Sequence, residues 1–166
     1  MPLTPKDGEV LVTGATGGVG IVAVALLAKM GFEVIASTGK EKEKAFLQKL
    51  GAKGVIDRSE YSKGTSQPML KERWSGAVDV VGGDTLFNIV KSLKYGASVA
   101  ACGLVQSPMF QASVLPFILR GVNLLGVDSV VLPLETKKRV WSLLASDWKI
   151  ADLDKIAKEI HLEDLP

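Results

Sequence analysis

The residues that could do chemistry begin with a glycine-rich stretch directly after the first apolar run, Val10–Val12. Small residues at Gly14 and Ala15 permit a tight turn after a strand, and a missing side chain at Gly17 lets a phosphate approach the backbone. Gly20 lets a following helix pack closely on the strand, and the start of that helix offers free N–H groups to an anion. The spacing therefore predicts a turn that holds the diphosphate of a dinucleotide.

The same glycines have a second interpretation, as a turn that serves packing alone. A glycine pattern by itself is weak, because its meaning depends on its structural context. Here the pattern follows a predicted strand and opens a predicted helix within a strand–helix–strand unit. This setting favours dinucleotide binding over packing alone.

The end of the second apolar run carries hydroxyls and a cation, Ser37–Lys40, where an NAD site carries an acid. A carboxylate would repel a 2′-phosphate, whereas hydroxyls and an ammonium bind it by charge-assisted hydrogen bonds. The sequence therefore predicts NADPH rather than NADH, with Lys40 as the main cation. Lys53 and Arg58, near the third run, are expected to add charge. An ordinary solvated lysine at position 40 stays open as the alternative.

The ends of the fourth and fifth runs are also expected to face the cofactor, because ligands bind at the carboxyl edge of such a sheet. Small residues at Val81–Gly83 and Cys102–Leu104 would let ribose and nicotinamide lie against the backbone. Cys102 could be a nucleophile or a small core residue. The lack of a histidine partner favours the core residue. His161 has no identifiable partner either, and we expect it at the surface or in packing.

Six short apolar runs, each continuous rather than alternating, indicate strands buried on both faces of a parallel sheet. The runs are Val10–Val12, Val34–Ala36, Gly54–Ile56, Ala77–Val81, Ser98–Cys102 and Asn123–Val127. The predicted helices are Gly18–Met30, Lys42–Leu50, Asp84–Leu93 and Thr136–Trp148, with a loop and a short helix at Tyr61–Trp74 and helix-ending glycines at Gly31 and Gly51. This alternation predicts an α/β fold: a doubly wound, mainly parallel six-stranded Rossmann sheet with helices on both faces.

Composition argues against several classes of protein. The 166 residues carry a formal net charge of +2, which is too small and too interspersed for a nucleic-acid binder. Cys102 and His161 are the single cysteine and histidine, fewer than the usual zinc site of about three or four ligands needs. The N-terminus lacks the layout of a signal peptide, and the longest apolar stretch, Val19–Ala28, is shorter than a membrane span. We therefore expect a cytoplasmic protein.

Several motifs resemble the medium-chain dehydrogenase/reductase superfamily: residues 12–20, Leu50–Ala52 and Ala100–Leu104. Two more, Pro116–Val122 and Leu125–Val130, resemble its acrylyl-CoA reductase branch, whose members are also named quinone oxidoreductase or alcohol dehydrogenase. The resemblance spans nearly the whole chain. It implies zinc-independent, NADPH-dependent reduction of an activated carbon–carbon double bond by hydride transfer, in an enoyl-CoA such as acrylyl-CoA or in a quinone or enone.

The resemblance also implies site residues. It matches Gly17–Gly20 to the pyrophosphate loop, Thr38–Lys40 to the 2′-phosphate loop, and Leu104 and Ile118 to the nicotinamide side. The expected cofactor-binding residues are Gly14, Ala15, Gly17, Gly18, Val19, Gly20, Ser37, Thr38, Gly39, Lys40, Arg58, Gly82, Cys102, Gly103, Leu104 and Ile118. No catalytic residue and no metal ligand is assigned.

The chain departs from such reductases in length. They are longer and begin with a barrel-like substrate domain, so residues 1–166 are expected to be the dinucleotide-binding domain alone. Hydride transfer needs the substrate held against the nicotinamide with water excluded, so we expect NADPH binding with little or no turnover. Gly54 also stands where some relatives carry a basic residue, which argues against a further phosphate contact there.

Two other kinds of protein share this predicted fold. A non-catalytic NADP(H)-binding or sensor module stays open as an alternative. A short-chain dehydrogenase is disfavoured, because neither Tyr61 nor Tyr95 is followed by lysine four residues later.

An apolar edge strand is predicted at Leu124–Pro133, and apolar edges invite pairing with another chain. The resemblance implies dimers as well. We therefore expect a homodimer whose sheet continues across the two-fold axis. Covering of this strand by a C-terminal segment is the alternative. Beyond a second copy, the expected partner is a small-molecule substrate, with neither nucleic acid nor membrane.

Overall fold

The computed structural model describes residues 3–64, 66–151, 156–157 and 159–164. The chain divides into two compact units, Met1–Val131 and Leu132–Pro166. The first holds the sheet and five helices among its described residues. The described part of the second contains a helix, Leu134–Ala145, and a 3-10 turn, Leu162–Asp164.

Six strands form one sheet in the order β3-β2-β1-β4-β5-β6, with every neighbouring pair parallel. The strands are β1 Glu9–Val12, β2 Glu33–Thr38, β3 Gly54–Asp57, β4 Trp74–Asp79, β5 Leu93–Ala101 and β6 Asn123–Gly126. The order reverses between β1 and β4, and ligands bind at this switch point in doubly wound sheets. The predicted fold class is confirmed, and the sheet is wholly parallel.

Six α-helices accompany the strands among the described residues. They are α1 Gly18–Lys29, α2 Lys44–Lys49, α3 Ser59–Ser62, α4 Gly83–Ser92, α5 Leu115–Arg120 and α6 Leu134–Ala145. Gly31 and Gly51, which follow α1 and α2, have φ of 86° and 104°, so the predicted left-handed helix ends are confirmed. None of the described helices is long and apolar enough to cross a membrane.

The core of the first unit lies on both faces of the sheet. Successive strand residues point to opposite faces, so Leu11 and Val12 of β1 belong to different apolar clusters. The Leu11 cluster contains α4 side chains such as Ile89, and the Val12 cluster contains Val24 of α1 and Leu47 of α2. Each fully buried aliphatic side chain contributes about 1.5–3 kcal/mol. This burial fixes the strand ends from which the site is built.

Several predicted boundaries were wrong, and among them the last helix lies at Leu134–Ala145 rather than at 136–148. β4 lies at Trp74–Asp79 rather than at 77–81. The strand ends there because the N–H groups of residues 80–82 donate to the side chains of Thr13 and Asp79 instead of to a neighbouring strand. β5 begins five residues earlier than predicted, at Leu93, opposite a register shift in β4. The short helix expected within Tyr61–Trp74 begins upstream at Ser59.

The predicted edge strand was also too long. β6 forms the sheet edge, as expected, but it ends at Gly126, and residues 127–133 are not a strand. The Asp128 carboxylate accepts hydrogen bonds from the N–H groups of Val130 (2.8 Å) and Val131 (3.2 Å). Such side-chain bonds offer the backbone an alternative to a ladder, so the apolar sequence does not continue the strand.

Candidate functional site

A cleft of about 720 Å³ opens at the carboxyl ends of β1, β2 and β4. It lies at the switch point between β1 and β4. Seven of the expected cofactor-binding residues line it: Gly14, Gly17, Ser37, Thr38, Gly39, Lys40 and Arg58. Sequence reasoning missed the other side chains at this cleft: Thr13, Thr16, Ser62, Val80, Thr85, Val105 and Gln106.

The glycine turn leaves no room for side chains. Gly14 has a φ of 55°, and a Cβ there would overlap the Val80 side chain. A Cβ on Gly20 would overlap the Gly14 carbonyl oxygen and lie 2.7 Å from the Ala15 Cα, both of them backbone atoms. Gly20 therefore lets α1 pack directly on the turn.

The start of α1 is suited to an anion. The Gly17 N–H donates to the Gly14 carbonyl at 2.8 Å, and the first bond within α1 runs from the Ile21 N–H to the Gly17 carbonyl at 2.9 Å. The three N–H groups between them, on residues 18–20, precede that bond and have no acceptor within the helix. Together with the helix dipole they form an anion-binding position beside the cleft.

Hydrogen bonds tie the end of β2 to this turn. The Ala15 N–H donates to the Ser37 carbonyl at 3.1 Å, and the hydroxyls of Thr16 and Thr38 are 3.2 Å apart. The Lys40 N–H donates to the Thr38 hydroxyl oxygen at 3.1 Å. The hydroxyls, the Lys40 ammonium and the turn are thus held around one cleft. A threonine inside a glycine turn was the available signal for Thr16.

Arg58 crosses directly over Gly39. A Cβ on Gly39 would lie 2.6 Å from the Arg58 Nε, so the missing side chain makes room for the guanidinium. The Arg58 N–H donates to the Thr38 carbonyl at 3.1 Å, which fixes the arginine at the end of β2. The expectation for Lys53 was wrong. It precedes β3, and its ammonium pairs with the Glu33 carboxylate at 2.7 Å, away from the carboxyl edge of the sheet.

A buried carboxylate, Asp79, lies at the end of β4 beneath the cleft. The Thr13 hydroxyl donates to one of its oxygens at 2.7 Å, and the Gly82 N–H donates to the other at 2.7 Å. Burial raises the pKa of Asp79, and these hydrogen bonds partly oppose the rise. Sequence reasoning singled out neither Thr13 nor Asp79.

A second, smaller cleft of about 360 Å³ contains four expected residues: Gly82, Cys102, Gly103 and Leu104. A Cβ on Gly82 would lie 2.6 Å from the Ser107 carbonyl oxygen, and one on Gly103 would overlap the Val80 carbonyl. Close packing of the strand ends therefore requires both glycines. The Cys102 thiol lies 3.3 Å from the Asp79 carbonyl oxygen, and burial, followed by the Asp79 charge, raises its pKa. A raised pKa disfavours the thiolate, so the geometry does not support a nucleophile.

The remaining expected residues lie outside both clefts. Ala15 is buried below the turn, and Gly18 and Gly20 lie in the first turn of α1. Val19 is 57% exposed and Ile118, on α5, is 70% exposed; neither lines a cleft. Within the described residues, no group of three or more histidine, cysteine, aspartate or glutamate side chains could hold a metal.

The match to a family of known proteins decides the family of this chain. A family model for zinc-binding dehydrogenases matches residues 18–146. The chain belongs to the zinc-binding dehydrogenase family. The superfamily resemblance of its motifs is thereby confirmed, although the single cysteine and histidine of this family member do not fit a zinc site.

Similar proteins are named as oxidoreductases. The acrylyl-CoA reductase AcuI of Ruegeria pomeroyi is 46% identical over 164 residues, which cover 99% of this chain and 50% of that protein. A crystal structure of Bacillus subtilis yhfP with NAD bound has a TM-score of 0.86 and 47% identity, over 93% of this chain and 46% of that one. Escherichia coli YhdH with bound NADPH has a TM-score of 0.83 and 46% identity, over 87% and 44%. The dehydrogenase chain thus spans about half the length of these relatives.

Proposed function

We propose that this chain binds NADPH in the larger cleft and forms the nucleotide-binding half of an oxidoreductase that reduces an activated carbon–carbon double bond. The observation that supports NADPH as the cofactor is the ring of hydroxyls and cations at the end of β2. Ser37, Thr38, Lys40 and Arg58 meet there around one cleft. Relatives with NAD and with NADPH are both known, so the choice between the cofactors rests on this ring.

Each part of NADPH has a counterpart in the cleft. The free N–H groups at the start of α1 suit the diphosphate. The Arg58 guanidinium and the Lys40 ammonium suit the 2′-phosphate, because ionised donors form the strongest hydrogen bonds to phosphate. The hydroxyls of Thr16 and Thr38 share one hydrogen bond, which leaves one hydroxyl proton for a phosphate oxygen.

The reaction is proposed from the relatives. NADPH supplies a hydride, and the names acrylyl-CoA reductase and quinone oxidoreductase indicate an enoyl thioester or a quinone or enone as the acceptor. Glycines at the second cleft bring strand ends close together and leave backbone walls for the nicotinamide side. Residues 1–166 are proposed to be the dinucleotide-binding domain, with a barrel-like substrate domain supplied by further sequence.

A non-catalytic NADP(H)-binding module is the second candidate. It is favoured by the lining of the second cleft, which holds the Cys102 thiol of raised pKa and the Ser107 hydroxyl but no histidine, lysine or carboxylate. Acid–base chemistry would therefore need groups from outside this cleft. Reduction of an enoyl thioester by the longer protein would distinguish the enzyme from the module.

The assembly proposed is a homodimer joined through β6, the edge strand of the sheet. The apolar side chain of Leu125 in β6 is 51% exposed, which suits a covered edge. A cytoplasmic location stays a prediction from the sequence.

The test of the cofactor proposal is a pair of titrations, with NADPH and with NADH, on the wild type and on Lys40→Glu. The wild type is expected to bind NADPH at least about tenfold more tightly, and Lys40→Glu to lose about 10–100-fold in NADPH affinity, since a bond to a charged group contributes about 1.5–3 kcal/mol. NADH affinity is expected to change little. Lys42→Glu, which makes the same charge change at an exposed position outside the cleft, is the control. Equal wild-type affinities would contradict the assignment.

A further inference from the structure

The carboxylate of Asp79 is fully buried at the end of β4, and none of the ion pairs among the described residues includes it. Burying a charge without a cation is costly, and hydrogen bonds are the remaining compensation. The loop that follows β4 is what these bonds hold.

Three consecutive N–H groups of this loop, on residues 80–82, point inward and donate to a buried pair of side chains, Asp79 and Thr13. Val81 and Gly82 donate to the same Asp79 oxygen at 3.2 Å and 2.7 Å. Val80 donates to the Thr13 hydroxyl oxygen at 3.1 Å, and that hydroxyl donates to the other Asp79 oxygen at 2.7 Å. The pair therefore fixes the backbone direction of the whole loop.

This loop is the wall between the two clefts. Val80 and Val81 line the larger cleft, and Gly82 lines the smaller one. On its outer side the Val81 carbonyl accepts from the Gln106 N–H at 2.8 Å. A rotation of the loop would move the walls of both clefts and would separate this outer contact.

The 2′-phosphate end of the cleft is built from other elements. Lys40 and Arg58 follow β2 and β3, on the far side of β1 from β4. The Lys40 and Arg58 N–H groups both donate to Thr38, and within the described part of the chain neither residue is hydrogen-bonded to Asp79, Thr13 or the loop. A change at the buried pair should therefore affect the nicotinamide half of a dinucleotide more than its adenine half.

We infer that Asp79, with Thr13, is a positioning residue that sets the β4–α4 loop for the nicotinamide half of the cofactor. The inference rests on the proposed NADPH site. Asp79→Asn supplies one acceptor oxygen in place of two, so it cannot accept from the loop and from the Thr13 hydroxyl at the same time. Thr13→Val removes the shared hydroxyl, whereas Thr13→Ser keeps it.

The experiment is calorimetric titration of the wild type and these three variants with NADPH and with adenosine 2′,5′-bisphosphate, which carries the adenine end alone. Asp79→Asn and Thr13→Val are expected to lose about tenfold or more in NADPH affinity, while their affinity for the bisphosphate stays within about twofold of wild type. Thr13→Ser is expected to retain NADPH affinity. Thermal unfolding of each protein is recorded in parallel.

The possible outcomes distinguish a failure of this inference from a failure of the proposed function. Equal losses for both ligands would assign the pair a general structural role and overturn the inference. Unchanged NADPH affinity in Thr13→Val would overturn it as well, and this result is available even if Asp79→Asn does not fold. A wild type that binds neither ligand would overturn the proposed function together with the inference. If the wild type binds NADPH and the variants bind it with the same affinity, only the inference is overturned.

Discussion

At the scale of single residues, two glycines near the start of α1 differ in the space around them. A Cβ on Gly20 would overlap the backbone of the preceding turn, whereas one on Gly18 would have no atom within 4 Å. Backbone atoms cannot move aside as the end of a flexible side chain can. The two positions gain similar helical propensity when glycine is replaced by alanine. A difference in stability between the two variants therefore measures the close packing of α1 on the turn.

Gly20→Ala is expected to lower the free energy of unfolding by about 1–3 kcal/mol, the usual range for an overpacked site, and to weaken NADPH binding. Gly18→Ala is expected to stay within about 1 kcal/mol of wild type, because its methyl group enters open space. Urea unfolding of both variants measures this. Similar stabilities of the two would show that α1 does not pack on the turn as described.

The stability of the protein should depend on pH through Asp79. Burial raises its folded-state pKa above the ordinary value of 3.8, so this group's contribution to stability is complete below that pH and is lost as the pH rises through the raised pKa. Asp79→Asn lacks this titration. The lowered pKa values of Asp7 and Asp57 act in the opposite direction, but both proteins contain them, so they cancel in the difference.

The free energy of unfolding of Asp79→Asn, measured relative to wild type by urea titration, is therefore expected to rise from about pH 3.8 upward and then level off. A relative free energy that is flat or falls across this range would show that Asp79 is not desolvated in the folded state.

Sequence patterns reveal residues that are required by contacts within one short segment of the chain. Gly14 and Gly20 were visible because a turn and a helix contact impose them within one short segment. Asp79 and Thr13 were not, because each partner lies 66 residues away in sequence and the two meet only after β1 and β4 pair. Gly82 and Gly103 were predicted as cofactor contacts from their place after two strands, and both line the smaller cleft. Their reason is contact between strand ends, which a single segment does not show.

At the scale of elements, the succession of strands and long helices along the chain could be predicted. Most errors lay at the ends of these elements. The short helix α5 was missed because six residues give too little periodicity. Tertiary contacts hold it: the Arg120 guanidinium donates to the carbonyls of Lys91 and Leu70, each at 2.8 Å. β6 was overextended because its apolar sequence continues past the turn that Asp128 makes.

The edge strand β6 carries the prediction for assembly. Leu125→Lys is expected to convert a homodimer into a monomer, because a charged side chain at an edge opposes pairing with another sheet. Tyr95→Lys, at an 80% exposed position at the start of β5, is the control and is expected to remain dimeric. Sedimentation velocity measures both. A wild type that sediments as a monomer at micromolar concentration would contradict the dimer.

At the scale of the whole molecule, the larger and the smaller cleft differ in the ionisable groups that line them. The larger cleft gathers its anion-binding groups within Met1–Val131. The smaller cleft is lined by no histidine, lysine or carboxylate, and burial raises the pKa of its Cys102 thiol. This difference supports the proposal that the chain, which spans about half of its relatives' length, binds the cofactor without appreciable turnover.

A crystal structure of this chain grown with saturating NADPH would test the proposed cofactor site directly. The diphosphate is expected at the first turn of α1, beside Gly17, and the 2′-phosphate between Lys40 and Arg58. An empty cleft under these conditions, or phosphates bound elsewhere on the chain, would contradict it.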